Sequence, residues 1–340
     1  MVGFRYRTGL AVLPALHCLR RRTLISTLLG AALIAALAVA LVLKAKAPPE
    51  AARLLPESDA IVYFQLRALR SATHFDQTPV ARSADFQKFI DATGIDPERD
   101  LDTVAFALHR MPNPKGPNGA VAYSEVFTGR FDGQRLKRYL ERIDSGTESY
   151  AGQTIYDVPI EGRTLRIAEL DYDTVGASNM PTAEQIHSMI DREHASALSS
   201  PGSSLLAARY GDVPLLSQAW GIGRIGLPFG EDGNINVLGM GLPLPVDTEF
   251  VASLRYTGDL HLRVEEVAPT PNDAEHTVAT ISALLDVLRG LNSIQPSQTP
   301  QADAMEALLS SASLRQDGDR AILTAAATVD QAKALATATR

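Results

Sequence analysis

The stretch AVAYSEVFTGRFDGQRLKRYLERI, residues 120–143, decides how this chain is read. Up to Phe131 it is rich in β-branched and aromatic residues and reads as a strand. Asp132 then offers a carboxylate to cap a helix in which Leu136, Tyr139, Leu140 and Ile143 form one apolar stripe. A strand that runs straight into a capped amphipathic helix is the grammar of an α+β domain. The same grammar returns near the end of the chain, where RAILTAAAT (residues 320–328) leads into VDQAKALATA (residues 329–338).

Working outward, DAIVYFQLRAL (59–69), LDTVAFALHRM (101–111), SYAGQTIYDVP (149–159), RTLRIAEL (163–170) and DTVGAS (173–178) read as further strands. Ser83 and Gly94 bracket a helix with Phe86, Phe89 and Ile90 on one face, and more helices are expected near 181–195 and 203–208. The last ninety residues add strands at 249–258, 260–268 and 312–318, a long helix over 273–291 and a shorter one over 302–311. The pattern predicts an α+β fold with mainly antiparallel sheets in two related lobes, 53–210 and 247–340, joined by a Gly/Pro-rich apolar connection at 211–246.

Ahead of the lobes stands RRRTLISTLLGAALIAALAVALVLKAKAPPE, residues 20–50. Leu24 to Leu43 carries no charge, and twenty helical residues span about 30 Å, the thickness of a bilayer's hydrocarbon core. An N-terminal transmembrane helix over 24–43 is therefore expected, after a basic cytoplasmic tail (1–23) and before a stalk (44–52). A cleaved signal would have a shorter apolar region and a cleaner small-residue site than Ala45-Lys46-Ala47. Arg5, Arg7, Arg20, Arg21 and Arg22 before the span, against Lys44 and Lys46 after it, put the amino terminus in the cytoplasm. The body is then expected outside a bacterial inner membrane, periplasmic or extracellular.

Seven of the 32 Lys and Arg residues precede residue 47 and none of the 39 Asp and Glu do, so the remainder carries a net charge of about −14. Such a body repels phosphate backbones, which argues against nucleic-acid binding. The single cysteine, Cys18, lies in the tail, so the body is expected to be held by its core and not by disulfides.

The phrases LLPESDAIVYFQLRAL, FTGRFDGQRLKRYL and YAGQTIYDV, together with the amino-terminal apolar run, resemble a family of uncharacterised bacterial envelope proteins with one membrane anchor and a two-lobed α+β ectodomain. The resemblance implies an anchored envelope protein and brings no functional motif with it.

Chemistry is sparse. Gly221-Ile222-Gly223-Arg224-Ile225-Gly226 matches a dinucleotide-binding spacing, but the glycines and prolines that follow leave no room for the helix that would face a pyrophosphate, so a glycine-rich loop or hairpin is expected and no cofactor. His187, Asp191 and His194 fall at i, i+4 and i+7 of one helix, a spacing that suits a metal. Ile186, Met189 and Ile190 mark the buried face of that helix, however, so a solvated polar face is the competing reading. The connection carries Trp220, Phe229, Leu238 and Met240, an apolar set that reads either as a contact surface or as packing over the junction. Ser124, Asp171 and Asp173 have no sequence neighbour that would activate a nucleophile. The expected function is a non-enzymatic module that binds a protein or an envelope component, with self-association as a further expectation. The alternative is a metal-dependent hydrolase built on His187, Asp191 and His194.

Overall fold

The structure, a computed structural model, describes residues 47–77, 82–116, 118–160, 162–195, 202–224, 235–237, 240–242, 248–294 and 299–337. The chain divides into two units, Met1–Ala47 and Pro48–Arg340, and all the elements below belong to the second. The first part of that unit runs α1 (Glu50–Leu54), β1 (Ala60–Phe64), α2 (Leu66–Thr73), α3 (Ala84–Thr93), α4 (Pro97–Asp100), β2 (Leu101–Arg110), β3 (Val121–Gly129) and α5 (Gly133–Ile143). A meander follows, β4 (Gly146–Tyr150), β5 (Gln153–Ile160), β6 (Arg163–Asp171) and β7 (Thr174–Ser178), and then α6 (Glu184–His194) and α7 (Ser204–Arg209). The chain continues through β8 (Ala219–Arg224), β9 (Ile235–Val237), β10 (Met240–Leu242), β11 (Glu249–Tyr256), β12 (Leu260–Val267) and α8 (Pro271–Ile294). It ends with α9 (Pro300–Ser311), β13 (Ser313–Asp317), β14 (Arg320–Ala327) and α10 (Val329–Thr337).

The expected fold class is corrected in two respects. In place of two lobes with sheets of their own, one antiparallel twelve-stranded sheet runs in the order β13-β14-β12-β11-β8-β1-β2-β3-β7-β6-β5-β4. Each half taken alone would end on β1 or β8 and leave a row of unpaired backbone groups; pairing from Ala60↔Gly223 to Phe64↔Ala219 removes both edges. The second respect concerns the membrane helix. Among the described residues no helix is long and apolar enough to cross a membrane. α8 has the length, at 24 residues, but carries Asp273, Glu275, Asp286 and Arg289. The expected span at 24–43 lies outside the described residues.

A two-fold plan is present within this one sheet, but it is not the repeat read in the sequence: by position β3 corresponds to β12, and β14, which precedes VDQAKALATA, corresponds to β7. From the centre outward the strands run β1-β2-β3-β7 on one side and β8-β11-β12-β14 on the other. In each half the chain leaves the third strand, through α5 and β4 to β6 in one and through α8, α9 and β13 in the other, and comes back to pair beside it.

Strand alternation sorts side chains onto two faces. One row crosses the sheet through Ile155, Ala168, Val126, Ala105, Tyr63 and Trp220, with Ile222 and Val251 beside it on the same face, and is covered by α1, α6 and α7 with Ile186, Met189, Ile190 and Leu206 fully buried. The opposite face of β5, β6 and β7 meets α3 and α5 through Tyr156, Val158, Val175, Leu136 and Leu140. The second layer contains the candidate site.

Candidate functional site

Helix α3 begins at Ser83, whose hydroxyl accepts from the Phe86 amide at 3.2 Å, and stops at Gly94. Helix α5 begins at Asp132, whose carboxylate accepts from the Arg135 amide at 3.1 Å. Arg135 then donates to the Asp91 carbonyl at 2.9 Å and ties the start of α5 to the end of α3. Arg82 secures the loop beyond α3, with Asp96 and Glu98 each at 3.2 Å. The two helices touch through an edge-to-face contact of Phe89 and Tyr139, with centroids 5.5 Å apart. Both apolar stripes therefore face the sheet without filling the space above it.

What remains is a cavity of about 410 Å³, walled by Phe89 and Ile95 above, by Leu136 and Leu140 of α5, and by Phe127, Leu165, Ile167 and Ala177 of the sheet. Phe86 and Ile160 also line it and are exposed to solvent, 37% and 43% respectively, which places them at its rim. The volume is that of a small-ligand pocket. Among the described lining residues the one charged group is Glu125. Ser124 and Val126 belong to the other face of β3, while Glu125 pairs with Phe106 and Ala177 and points with Phe127 into the cavity. Burial pushes its carboxyl up to about 7, and among the described residues no cation or donor offsets the loss of water.

Ser124, on the far face, does have a partner that the sequence did not reveal. His109 Nε2 lies 3.0 Å from Ser124 Oγ, which lies 3.0 Å from Ser178 Oγ. Burial lowers the His109 pKa, while the charge of Asp59 and a hydrogen bond to the Glu57 backbone act against that shift. An acid, an imidazole and a hydroxyl suggest a nucleophile, but Ser124 and Ser178 are 0% and 1% exposed. No acyl group can reach Ser124 in this arrangement. The pair satisfies buried polar atoms between strands.

The residues singled out as metal ligands are drawn to other partners. His187 stacks on Tyr150 at 3.8 Å between centroids and lies 2.8 Å from Glu148 Oε1, and Asp191 accepts from the Tyr150 hydroxyl at 3.0 Å. His194 is exposed, and Ile186, Met189 and Ile190 form the buried face of α6. Among the described residues no group of three His, Cys, Asp or Glu side chains could hold a metal ion.

The apolar connection divides. Trp220 is in β8 at the centre of the sheet, 3% exposed, stacked on Tyr63 at 5.4 Å and edge-on to Tyr210 at 5.3 Å. Residues 219–224 thus form a strand, where the sequence suggested a glycine loop or hairpin. Met240 is in a strand of a separate two-stranded ladder, its backbone paired with Val237. Phe229 and Leu238 lie outside the described residues. Glu125 and the cavity were not foreseen, although a lone Glu between Tyr123 and Phe127 on an alternating strand is the signal that could have marked them.

No family model matches the chain, and no curated protein matches it. Among solved structures it is similar to TP0453 in crystal form III, with 12% identity, a TM-score of 0.48, and coverage of 86% of this chain and 99% of that one. Crystal form I of TP0453 gives 12% identity and a TM-score of 0.46 over 85% and 97% of the two chains.

Proposed function

We propose that this chain is a non-enzymatic binding module of the bacterial cell envelope, and that the cavity between α3, α5 and the sheet receives an apolar component of that envelope. The observation that carries the proposal is the cavity itself: about 410 Å³ with walls of Phe, Leu, Ile and Val. An apolar surface of this kind left to water is unfavourable by about 25 cal/mol per Å², so a chain that keeps it open stands to gain by filling it. The envelope placement is supported by the amino-acid sequence alone. It is tested by a reporter active only outside the cytoplasm, fused after Arg340, which gives signal if the placement holds.

Binding is tested with an environment-sensitive fluorescent dye titrated into the purified protein. A saturable, one-to-one rise in emission is expected, and Ala177→Phe, which fills the cavity from the β7 wall, abolishes it. Leu165→Trp, which fills it from β6, is the companion variant. Undiminished dye binding in both folded variants overturns the assignment of the cavity.

A further inference from the structure

One group in the cavity is chemically out of place among its neighbours. Glu125 projects from β3 between Phe127 and the walls of α5, and its carboxyl has no hydrogen-bond or ion-pair partner among the described residues. The described lining contains no Lys, Arg or His that could balance a negative charge. Glu125 is only partly buried, and a carboxyl facing an apolar chamber with unused hydrogen-bonding capacity is a natural place for a ligand's polar end.

The chemistry of that end follows from the two states of the carboxyl. With its proton, Glu125 offers one O–H donor and an acceptor oxygen; without it, acceptors only. A hydroxyl or a primary amide both donates and accepts, and so finds a partner in either state. A carboxylate or phosphate head would sit against a second acid with no cation among the described lining residues, where like charges disfavour each other strongly. The remaining walls accept hydrocarbon, and a volume near the small end of ligand pockets suits one chain and not two.

Resting on the binding reading above, we propose that the cavity selects an uncharged single-chain amphiphile whose hydroxyl or amide head is held by Glu125, and that it rejects the anionic head of the same chain length. The selectivity is a difference of affinities created by a repulsive element as well as an attractive one.

The test is a competition on the full chain at pH 8, with 1-dodecanol and dodecanoate displacing the same fluorescent dye. Dodecanol is expected to displace it at about tenfold lower concentration than dodecanoate. Glu125→Gln keeps a donor and an acceptor but removes the charge. It is expected to bind dodecanol nearly as the parent does and to tighten for dodecanoate, which brings the ratio below about threefold. Equal potency of the two ligands on the parent protein, or a ratio unchanged by Glu125→Gln, overturns the head-group inference while leaving the cavity as the site. Dye that stays bound in folded Ala177→Phe and Leu165→Trp overturns the binding reading and this inference with it. Near-ultraviolet circular dichroism of each variant establishes that it is folded.

Discussion

A glutamate on an interior strand position is a local conflict, and at Glu125 burial raises the pH at which the carboxyl gives up its proton. Its neighbours across the ladder are Phe106 and Ala177, so solvation of the carboxylate is poor and its pKa rises from 4.5 to about 7. The consequence for stability has a definite sign. Below pH 4.5 both folded and unfolded chains carry the proton and Glu125 contributes no pH dependence. Between pH 4.5 and about 7 the unfolded chain releases it while the folded chain keeps it, so stability falls as pH rises. Since one pKa unit corresponds to about 1.4 kcal/mol and the group retains some solvent, the loss above pH 7 is roughly 1–2 kcal/mol. Glu125→Gln is therefore expected to be more stable than the parent at pH 8 and equal to it at pH 4, in urea titrations. A difference between the two proteins that stays constant from pH 4 to pH 8 would contradict this account. Comparing the pair removes the other groups shifted by burial, such as Glu169 and Glu266.

At the scale of elements, the strand β8 shows how a glycine-rich sequence becomes the centre of a sheet. Gly223 pairs with Ala60 on one side and Phe250 on the other, at φ +152°, and a Cβ there would lie 2.5 Å from Ala60 Cα and 2.7 Å from the Asp59 carbonyl oxygen. Two backbones approach because no side chain separates them. Gly223→Val is expected to cost at least 1–3 kcal/mol, read as a lower urea midpoint, because neither neighbour can move without breaking the ladder. A midpoint equal to the parent's would mean that the strands are not that close. The same residue explains why β8 was illegible in the sequence, where Gly-Ile-Gly-Arg-Ile-Gly looks like a loop and only the pairing partners make it a strand. The β4–β5 hairpin was hidden for a related reason. Its turn is Ala151-Gly152, both at positive φ, and Ala is an uncommon choice there, so Ser149 to Pro159 looked like one strand. By contrast the caps Ser83 and Asp132, the stop at Gly94 and the buried face of α6 were all readable, since each depends on a few adjacent residues.

For the molecule as a whole, the difference between two lobes and one sheet has a measurable consequence. Local sequence signals mark most strands of each half, but the register joining β1 to β8 connects residues some 160 apart in the chain and leaves no local trace. Once made, that junction is central. Tyr63 of β1 stacks on Trp220 of β8, which meets Tyr210 edge-on, so the chain's single tryptophan reports on the seam itself. On the same face a charged network ties α7 to the strands beyond β8: Glu265, 2% exposed, pairs with Arg263 and Arg320; Arg320 reaches Asp212 at 3.2 Å; and Arg209 joins Asp212 to Glu249. Glu265 is the buried member, so removing its arginine partners leaves a charge with little solvent to compensate it, while the partly exposed pairs contribute less. Two independent lobes would unfold in separate steps, and Trp220 would follow one of them. A continuous sheet cannot lose one half without exposing the edge and the apolar rows of the other. Tryptophan emission, which follows the seam, and far-ultraviolet circular dichroism, which follows all strands and helices, are therefore expected to trace one coincident urea transition. Two separated transitions, with the tryptophan signal completed while half of the dichroism remains, would show that the halves are stable apart and that the β1–β8 ladder contributes little to holding them together.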